Sequence, residues 1–499
     1  IVAFANKYLK EDNYAVIYKK QGKDPNEKKM TKPEITPIIT NRDVTSPFLV
    51  EVQESAVKPI EPVFLDYQKD MSQLKAKSDI PILYKQNVAN DLFQLIYVFD
   101  MGNNHDKALG TAFDYLEYLG TSDMTPEELK SEFYRLACTF YVSPGNERTY
   151  VVLSGLNENM PAAVQLFEKL LADAQVNKEA YTNMTSDILK ARSDAKLNQG
   201  QNFSRLMSFA MYGPKSPATN LLTEAELTNM NPQELVDRIH NQNSYKHRIL
   251  YYGPSSSKDL LATINQYHQV PAALKDIPAG NEYSYLETPV TKVLVAPYDA
   301  KQIYMAQISN LDKKYDPAIE PIRALYDEYF GGGMNSIVFQ EMRETRGLAY
   351  SAWASIMPPS YLKYPYVLRT QIATQNDKMI DAVTTFNDII NNMPESEAAF
   401  KLAKDGLTNR LRTERIIKGD IIWSYINAQD LGQNVDPRIK LYNDIQNMSL
   451  KDIVDFQKQW VKGRTYVYCI LGDKKDLELD KLKAVGPIEE LTQEQIFGY

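Results

Sequence analysis

The sequence predicts an α+β fold: two homologous domains, each a sheet covered by helices, preceded by a linker and the tail of another domain. Three observations carry this reading. A capped helix followed by a β-rich strand recurs late in each half of the chain. Strand-like runs stand early and late in each half, with helices between them. A proline-rich stretch separates the first 20 or so residues from everything after it. The 499 residues are 43% hydrophobic and 24% charged, which is the composition of a globular chain.

The elements follow in order. Ile1-Val-Ala-Phe4 lines up with Ile453-Val-Asp-Phe456, and Tyr14-Ala-Val-Ile-Tyr18 reads as the strand after it. Residues 1–22 therefore read as the tail of a preceding domain. Residues 23–80 read as an extended linker. Pro25, Pro33, Pro37, Pro47, Pro59 and Pro62 fall there among Lys, Glu and Thr. Proline lacks a backbone donor and disfavours helix before itself. Phe48-Leu-Val50 and Val63-Phe-Leu65 give the linker apolar footholds, and its length suits a link between two larger bodies.

Residues 81–280 form the first domain. A strand at 92–100 leads to an amphipathic helix at 108–119, a turn at Gly120-Thr121 and a second helix at 125–140. Periodic helices follow at 160–174 and 178–196. Residues 281–499 form the second domain. Its strand at 303–308 leads to a helix at 317–330, the turn Gly331-Gly-Gly333 and a helix at 334–346, with further helices at 379–392 and 395–414. The repeat is sharpest near the two ends. Asn229-Met-Asn-Pro-Gln-Glu-Leu-Val-Asp237 matches Asn447-Met-Ser-Leu-Lys-Asp-Ile-Val-Asp455. Asn231 or Ser449 stands at the cap, with Glu234 or Asp452 three residues on. A strand ending in glycine follows each: Arg248-Ile-Leu-Tyr-Tyr-Gly253 and Tyr466-Val-Tyr-Cys-Ile-Leu-Gly472. The expected sheets are of antiparallel type and covered on one face.

Composition excludes several functions. Lys plus Arg is 56 against 64 Asp plus Glu, a net charge of −8. That gives no electrostatic case for nucleic acid or for an anionic membrane surface. The longest apolar runs, at 92–99 and 466–472, are too short for a membrane span. Cys138 and Cys469 sit in apolar runs and read as buried free thiols; whether they meet is left to the fold. His105, His240, His247 and His268 form no pair at metal-ligand spacing and read as surface or half-buried imidazoles. No Ser-His-Asp or Cys-His arrangement has local support.

The second domain contains Gly331-Gly-Gly-Met-Asn-Ser-Ile-Val-Phe-Gln-Glu-Met-Arg-Glu-Thr-Arg-Gly-Leu-Ala-Tyr-Ser351. This resembles the C-terminal domain motif of the M16 (pitrilysin-type) zinc metallopeptidases. With the two-repeat layout, the resemblance covers essentially the whole chain. It implies the C-terminal, non-catalytic half of such an enzyme, joined by the hinge linker to a half that closes over peptide like a clamshell. In the family's catalytic domain, His-x-x-Glu-His on one helix face holds zinc with a later Glu, and the motif Glu activates the metal-bound water. The matching segment here is Asp114-Tyr-Leu-Glu-Tyr118. Asp114 and Tyr118 stand at the histidine positions. Tyr118 is a neutral phenol and a poor zinc ligand. No Glu occurs from residue 180 to 223 to supply the third ligand. Glu117 survives without a water to activate. The first domain reads as a degenerate copy, with no metal or other cofactor in this chain and zinc expected in the N-terminal half.

The resemblance further implies that Arg343 and Tyr350 reach peptide bound at the zinc site of the other half. A guanidinium and a phenol can hydrogen-bond the scissile carbonyl as it becomes an oxyanion. Locally, Arg343 could instead pair with Glu341 or Glu344 while Tyr350 packs in a strand. Arg346 stands only four residues from Tyr350 and fits the pattern less well. Gly331 to Gly333 lack the Lys-Ser/Thr of a phosphate loop and read as a tight turn between helices. The function expected is the closing half of a zinc endopeptidase, contributing substrate and oxyanion contacts. The alternative is a catalytically inactive M16-like peptide-binding or assembly subunit. The partners implied are the N-terminal catalytic half, on the same polypeptide or a separate chain, and a peptide or unfolded polypeptide. Bacterial periplasm and cytoplasm both fit these residues.

Overall fold

The computed structural model describes residues 1–20, 22, 46–56, 58–300 and 302–499. They fall into two bodies, residues 1–59 and 60–499. In the first body, helices run over Val2–Tyr8 and Pro47–Glu54. Phe4 and Tyr8 stack one turn apart, with ring centroids 4.6 Å from each other. The expected strand at Tyr14 to Tyr18 is not one: these residues are exposed coil with no ladder partner among the described residues. A β-rich run becomes a strand only where a neighbour takes its amides and an apolar face is buried. Pro25, Pro33 and Pro37 lie outside the described residues.

The second body holds two six-stranded sheets that share one topology over five strands and differ in the sixth, β1 pairing antiparallel and β12 parallel. The first comprises β1 Ser72–Lys75, β2 Pro81–Gln86, β3 Leu92–Phe99, β4 Cys138–Pro144, β5 Thr149–Leu156 and β6 Arg248–Gly253. Its spatial order is β1-β2-β6-β3-β5-β4. The second comprises β7 Lys292–Pro297, β8 Gln302–Lys314, β9 Ala349–Met357, β10 Pro365–Gln375, β11 Val467–Gly472 and β12 Ile488–Glu490. Its order is β12-β7-β11-β8-β10-β9. Each repeat's late strand slots between two early ones, β6 between β2 and β3, and β11 between β7 and β8. It therefore runs antiparallel to β3 or β8 and parallel to β2 or β7. The sheets are mixed, where the sequence suggested an antiparallel type.

Local chemistry sets most boundaries. Thr125 and Glu128 close a capping box on the Pro126–Arg135 helix, and Ser449 and Asp452 do so on Leu450–Trp460. The matching Asn231 accepts only from Gln233 N–H at 3.2 Å, and no box forms. The helix expected over 125–140 ends at Arg135. Ala137 turns the chain at φ 49°, and Thr139-Phe-Tyr-Val142 joins β4, as β-branched and aromatic residues favour. After the Glu320–Phe330 helix, a Cβ on Gly331 would meet Ala354 O at 2.1 Å. That glycine lets the helix end abut β9, rather than serving a turn between two helices.

Each sheet buries one face under helices of its own repeat. Leu95, Phe99 and Leu153 pack on Leu109, Phe113 and Phe167 in the first. Met305, Leu368 and Ile470 pack on Leu325, Phe386 and Ile453 in the second. The second faces are also covered, contrary to the one-faced arrangement expected. The Gln199–Tyr212 helix of the first repeat lays Phe203, Leu206 and Ala210 on Ala306, Ile308 and Cys469 of the second sheet. The Asp420–Asp430 helix of the second repeat lays Ile421, Ile422 and Ile426 on Leu83, Val98 and Leu250 of the first. The two repeats thus exchange helices. Leu65, Tyr67 and Met71, from the stretch assigned to the linker, join that second layer, and Leu65 N–H donates to Asp436 at 2.9 Å. Arg148 ties the exchange with two 2.6 Å bonds to Asp430 and one to Asp100. Cys138 and Cys469 are buried, free and in different sheets.

Leu206→Ala and Ile422→Ala should each cost about 2–5 kcal/mol, as for fully buried leucine and isoleucine elsewhere. Urea unfolding curves check this; a loss below about 1 kcal/mol in either would mean that the exchanged helices contribute little to the fold.

Candidate functional site

The helix that carries the degenerate motif, Leu109–Leu116, is shorter than the 108–119 expected. Glu117 is its C-cap and Tyr118 lies beyond it, 44% exposed. Desolvation by the surrounding protein, then the like charge of Glu117, raises the Asp114 carboxyl above its ordinary value, although the residue keeps exposed surface. Two carboxylates and a phenol make a poor zinc set. Among the described residues no three His, Cys, Asp or Glu side chains cluster to hold a metal ion. The donors present do not fit the family's zinc.

Beside this helix opens a groove of about 700 Å³, lined by Glu117, Lys130, Phe133, Tyr134, Cys138 and Phe140. Its floor is β4, the free edge of the first sheet. Gly145 N–H bonds Arg148 O at 2.7 Å, and Leu156 N–H bonds Ala137 O at 3.3 Å. These bonds fix both ends of the β4–β5 ladder. Bonded and non-bonded pairs alternate, so Thr139, Tyr141 and Ser143 bond inward to β5. Phe140 and Val142 then present their N–H and C=O groups to the open edge, and Pro144 ends it without a donor. The sequence motifs did not point to this groove. Its only signal was Phe133-Tyr134 on an amphipathic helix, with Tyr134 88% exposed in the fold.

The second repeat brings Arg343 and Tyr350 together. Two backbone irregularities do this. The helix expected over 334–346 is a short turn, Ile337–Phe339, followed by a π-helical segment, Gln340–Thr345. Met342 anchors it at 0% exposure while Arg343 turns outward. Gly347, at φ 55°, reverses the chain into β9. There β9 carries a bulge: Ala373 faces Ser351 and Thr374 faces Ala349, leaving Tyr350 as the extra residue. The bulge throws Tyr350 outward, 79% exposed. The Arg343 guanidinium lies 4.9 Å from the centroids of both the Phe339 and Tyr350 rings. Glu344 is 3.6 Å from it, and Arg346 pairs instead with Glu341 at 3.7 Å. β9 is the terminal strand of its sheet, the counterpart of β4, but beyond the bulge its outer edge is occupied: Ile356 N–H donates to Asp327 at 2.9 Å, Ile356 O accepts from Arg323 at 3.2 Å, and Ala354 N–H reaches Gly331 O at 3.5 Å.

Comparison with known proteins agrees with this architecture. Residues 249–407 match the family model described as the peptidase M16 inactive domain. Over that stretch the chain is similar to M16 proteins. A non-peptidase homolog, YmxG of Helicobacter pylori, is 23% identical over 422 residues, covering 80% of this chain and 93% of that protein. A peptidase M16 inactive domain from Pseudomonas fluorescens superposes with a TM-score of 0.63 at 15% identity, covering 81% of this chain and 98% of its own. The periplasmic protease PqqL from Escherichia coli gives 0.64 at 12% identity over 95% of this chain, which matches half of that protein. The M16 likeness therefore extends both to whole two-repeat proteins and to one half of a longer one.

His105 is half-buried and His240 exposed, as expected, but the other two histidines are neither. His247 and His268 are buried, with Nε2 atoms 2.8 Å apart. His247 Nδ1 faces Tyr245 O at 2.8 Å, so that nitrogen carries the proton and its Nε2 accepts from His268. His268 Nδ1 meets the buried Glu168 at 2.6 Å, and Asn243 and Gln269 N–H also donate to that carboxylate. Tyr97 is stacked on His268, its phenol pushed well up by burial and then by Glu168. His105 accepts from Gly102 N–H, and His240 lies 3.1 Å from Ala174 O. Burial and the neighbouring His268 push the His247 imidazole down to about 3.

The unfolded chain protonates His247 near its ordinary value of about 6.5, whereas the native state resists. Stability should therefore hold above about pH 6.5 and fall as pH drops toward 3, with a slope approaching about 1.4 kcal/mol per pH unit. Unfolding midpoints of wild type and His247→Gln across this range check it; equal acid slopes would refute the assignment to His247.

Proposed function

We propose that this chain is the non-catalytic half of an M16 zinc endopeptidase. It would hold extended polypeptide and offer Arg343 and Tyr350 to substrate at a zinc site carried by an N-terminal half. The observation that supports this most is the Arg343–Tyr350 pair itself. A π-helical segment and a β-bulge each insert irregular backbone where the two side chains meet, and such irregularities concentrate at functional sites. The pair stands at the bulged start of the terminal strand β9, where a guanidinium and a phenol can both donate to one carbonyl. As that carbonyl gains negative charge in the transition state, both bonds strengthen, which lowers the barrier rather than merely binding substrate. Tyr350 needs no deprotonation for this role.

The chain alone should cut no peptide. Combined with a zinc-bearing M16 half from the same source, it should restore turnover. Arg343→Ala should lower kcat/KM of the combined enzyme about 100-fold and Tyr350→Phe about tenfold, with zinc content unchanged. Wild-type turnover in both variants, or cleavage by the chain alone, would overturn the reading.

A second reading, an inactive peptide-binding or assembly subunit, is favoured by the near-complete span of the non-peptidase homolog. It shares the peptide-holding role, for which the β4 edge is suited by its outward backbone groups and adjoining apolar groove. An unfolded polypeptide added to the chain alone should slow amide exchange at Phe140 and Val142. Thr139, Tyr141 and Ser143, already bonded to β5, should not change. Unaltered exchange at Phe140 and Val142 would remove this edge from consideration. No stimulation of any zinc-bearing half, together with peptide binding, would favour the second reading over the first.

A further inference from the structure

Beyond β9's bulge, the second sheet keeps an open strip on the face that the Gln199–Tyr212 helix covers farther in. The register puts Trp353 opposite Gln371 and Ser355 opposite Arg369, all on this face. Across β10, the same two rows continue into Ala306 and Ile308, which lie under the exchanged helix. Arg369 thus stands at the boundary between a closed apolar layer and the terminal strand. Its guanidinium lies 5.2 Å from the centroid of the Trp353 ring. One Nη2 bond reaches Gln371 at 2.7 Å. Its Nε is buried with no acceptor at all. It makes no ion pair with any described residue, and no backbone carbonyl receives it. Burial lowers its affinity for the proton, which says that the charge is desolvated without compensation.

An uncompensated guanidinium at the rim of a core costs stability. Three other shielded arginines are answered by acids: Arg148 by Asp100 and Asp430, Arg323 by Glu320 and Asp327, Arg438 by Asp436. Two more find other partners: Arg464 donates to Trp460 O, and Arg192 lies over the Tyr499 ring. Arg369 lacks that answer, and it lies on the strand pair that carries Tyr350. The planar fork of arginine suits a carboxylate, and the indole beneath it holds the fork in place. We propose that Arg369, on its Trp353 platform, is a carboxylate-binding subsite. Resting on the peptide-holding role above, its natural ligand is a polypeptide that presents either its C-terminal carboxylate or an Asp or Glu side chain. Trp353 also offers an apolar surface to the neighbouring residue of that polypeptide.

Saturation-transfer NMR on the intact chain tests this with small probes, independently of any peptide. N-acetyl-phenylalanine presents a terminal carboxylate, and N-acetyl-glutamate α-amide a side-chain one. N-acetyl-phenylalanine amide is the neutral control. At least one acid should give a saturable signal that the amide lacks, and which acid does so identifies the source. Arg369→Gln should abolish the difference, and Arg369→Lys should weaken it several-fold. Removal of an unpaired charge should leave the melting temperature of Arg369→Gln unchanged or higher, so that variant should fold. Absence of acid-specific binding in wild type, or its survival in Arg369→Gln, overturns the subsite. If Arg369→Gln does not fold, Arg369→Lys decides: unaltered acid binding in it overturns the proposal, and weakened binding supports it. Acid-specific binding without any retention of polypeptide would instead overturn the peptide-holding role and leave the carboxylate site standing.

Discussion

The exchange of helices between repeats is the constraint on which the rest depends. A mixed sheet has two faces, and each repeat supplies helices enough for one. The other face of each sheet carries Ile96, Val98 and Leu250, or Ala306, Ile308 and Cys469, and these cannot stay in water. Each repeat covers its neighbour's face with a single helix, so the two sheets are fixed relative to each other by apolar burial. Buried polar ties add direction to this. Arg148 spans Asp100 and Asp430, while Glu147 takes Lys363 at 2.9 Å and Tyr364 at 3.0 Å. The β4–β5 and β9–β10 hairpin tips meet through these contacts. Both terminal strands, β4 and β9, start from that shared corner.

Regular structure gives way at only one of them. On β9, the π-helical segment and the bulge place Arg343 against Tyr350. On β4, the edge is regular, and the helix next to it carries Asp114 and Glu117 beside an apolar groove. The two repeats have diverged in opposite directions from one plan. One keeps an open groove and an unpaired backbone edge. The other keeps two outward polar side chains held by aromatic stacking.

The buried polar groups divide by whether they are answered. Glu168, His268, His247 and Tyr245 O form a satisfied chain through the core of the first repeat. Such a chain is stable at neutral pH and vulnerable to acid, because protonating His247 puts a second proton where only one fits. Arg369 is different. Its charge is half-sheltered and unanswered within the protein, which a structural role does not require.

Much of the architecture was legible from residue pattern. The recurrence of helix and strand near residues 229 and 447 marked two repeats, and the 178–196 and 248–253 elements fall where periodicity puts them. The motif around Arg343 pointed to the M16 likeness, and Asp114 and Tyr118 were visible where that likeness would put histidines. These are local properties: spacing along one helix, a cap three residues from its acid, a run of β-branched side chains. What the sequence could not decide depends on distance in space. Helix exchange, the pairing of His247 with His268, the bulge that releases Tyr350 and the isolation of Arg369 all arise from residues far apart in the chain. Tyr14 to Tyr18 has strand chemistry and is no strand, because propensity acts only where a partner is present. Sequence determined what each segment can become; the packing of the two sheets decided which of those possibilities is realised, since burial and hydrogen-bond pairing are settled only between segments.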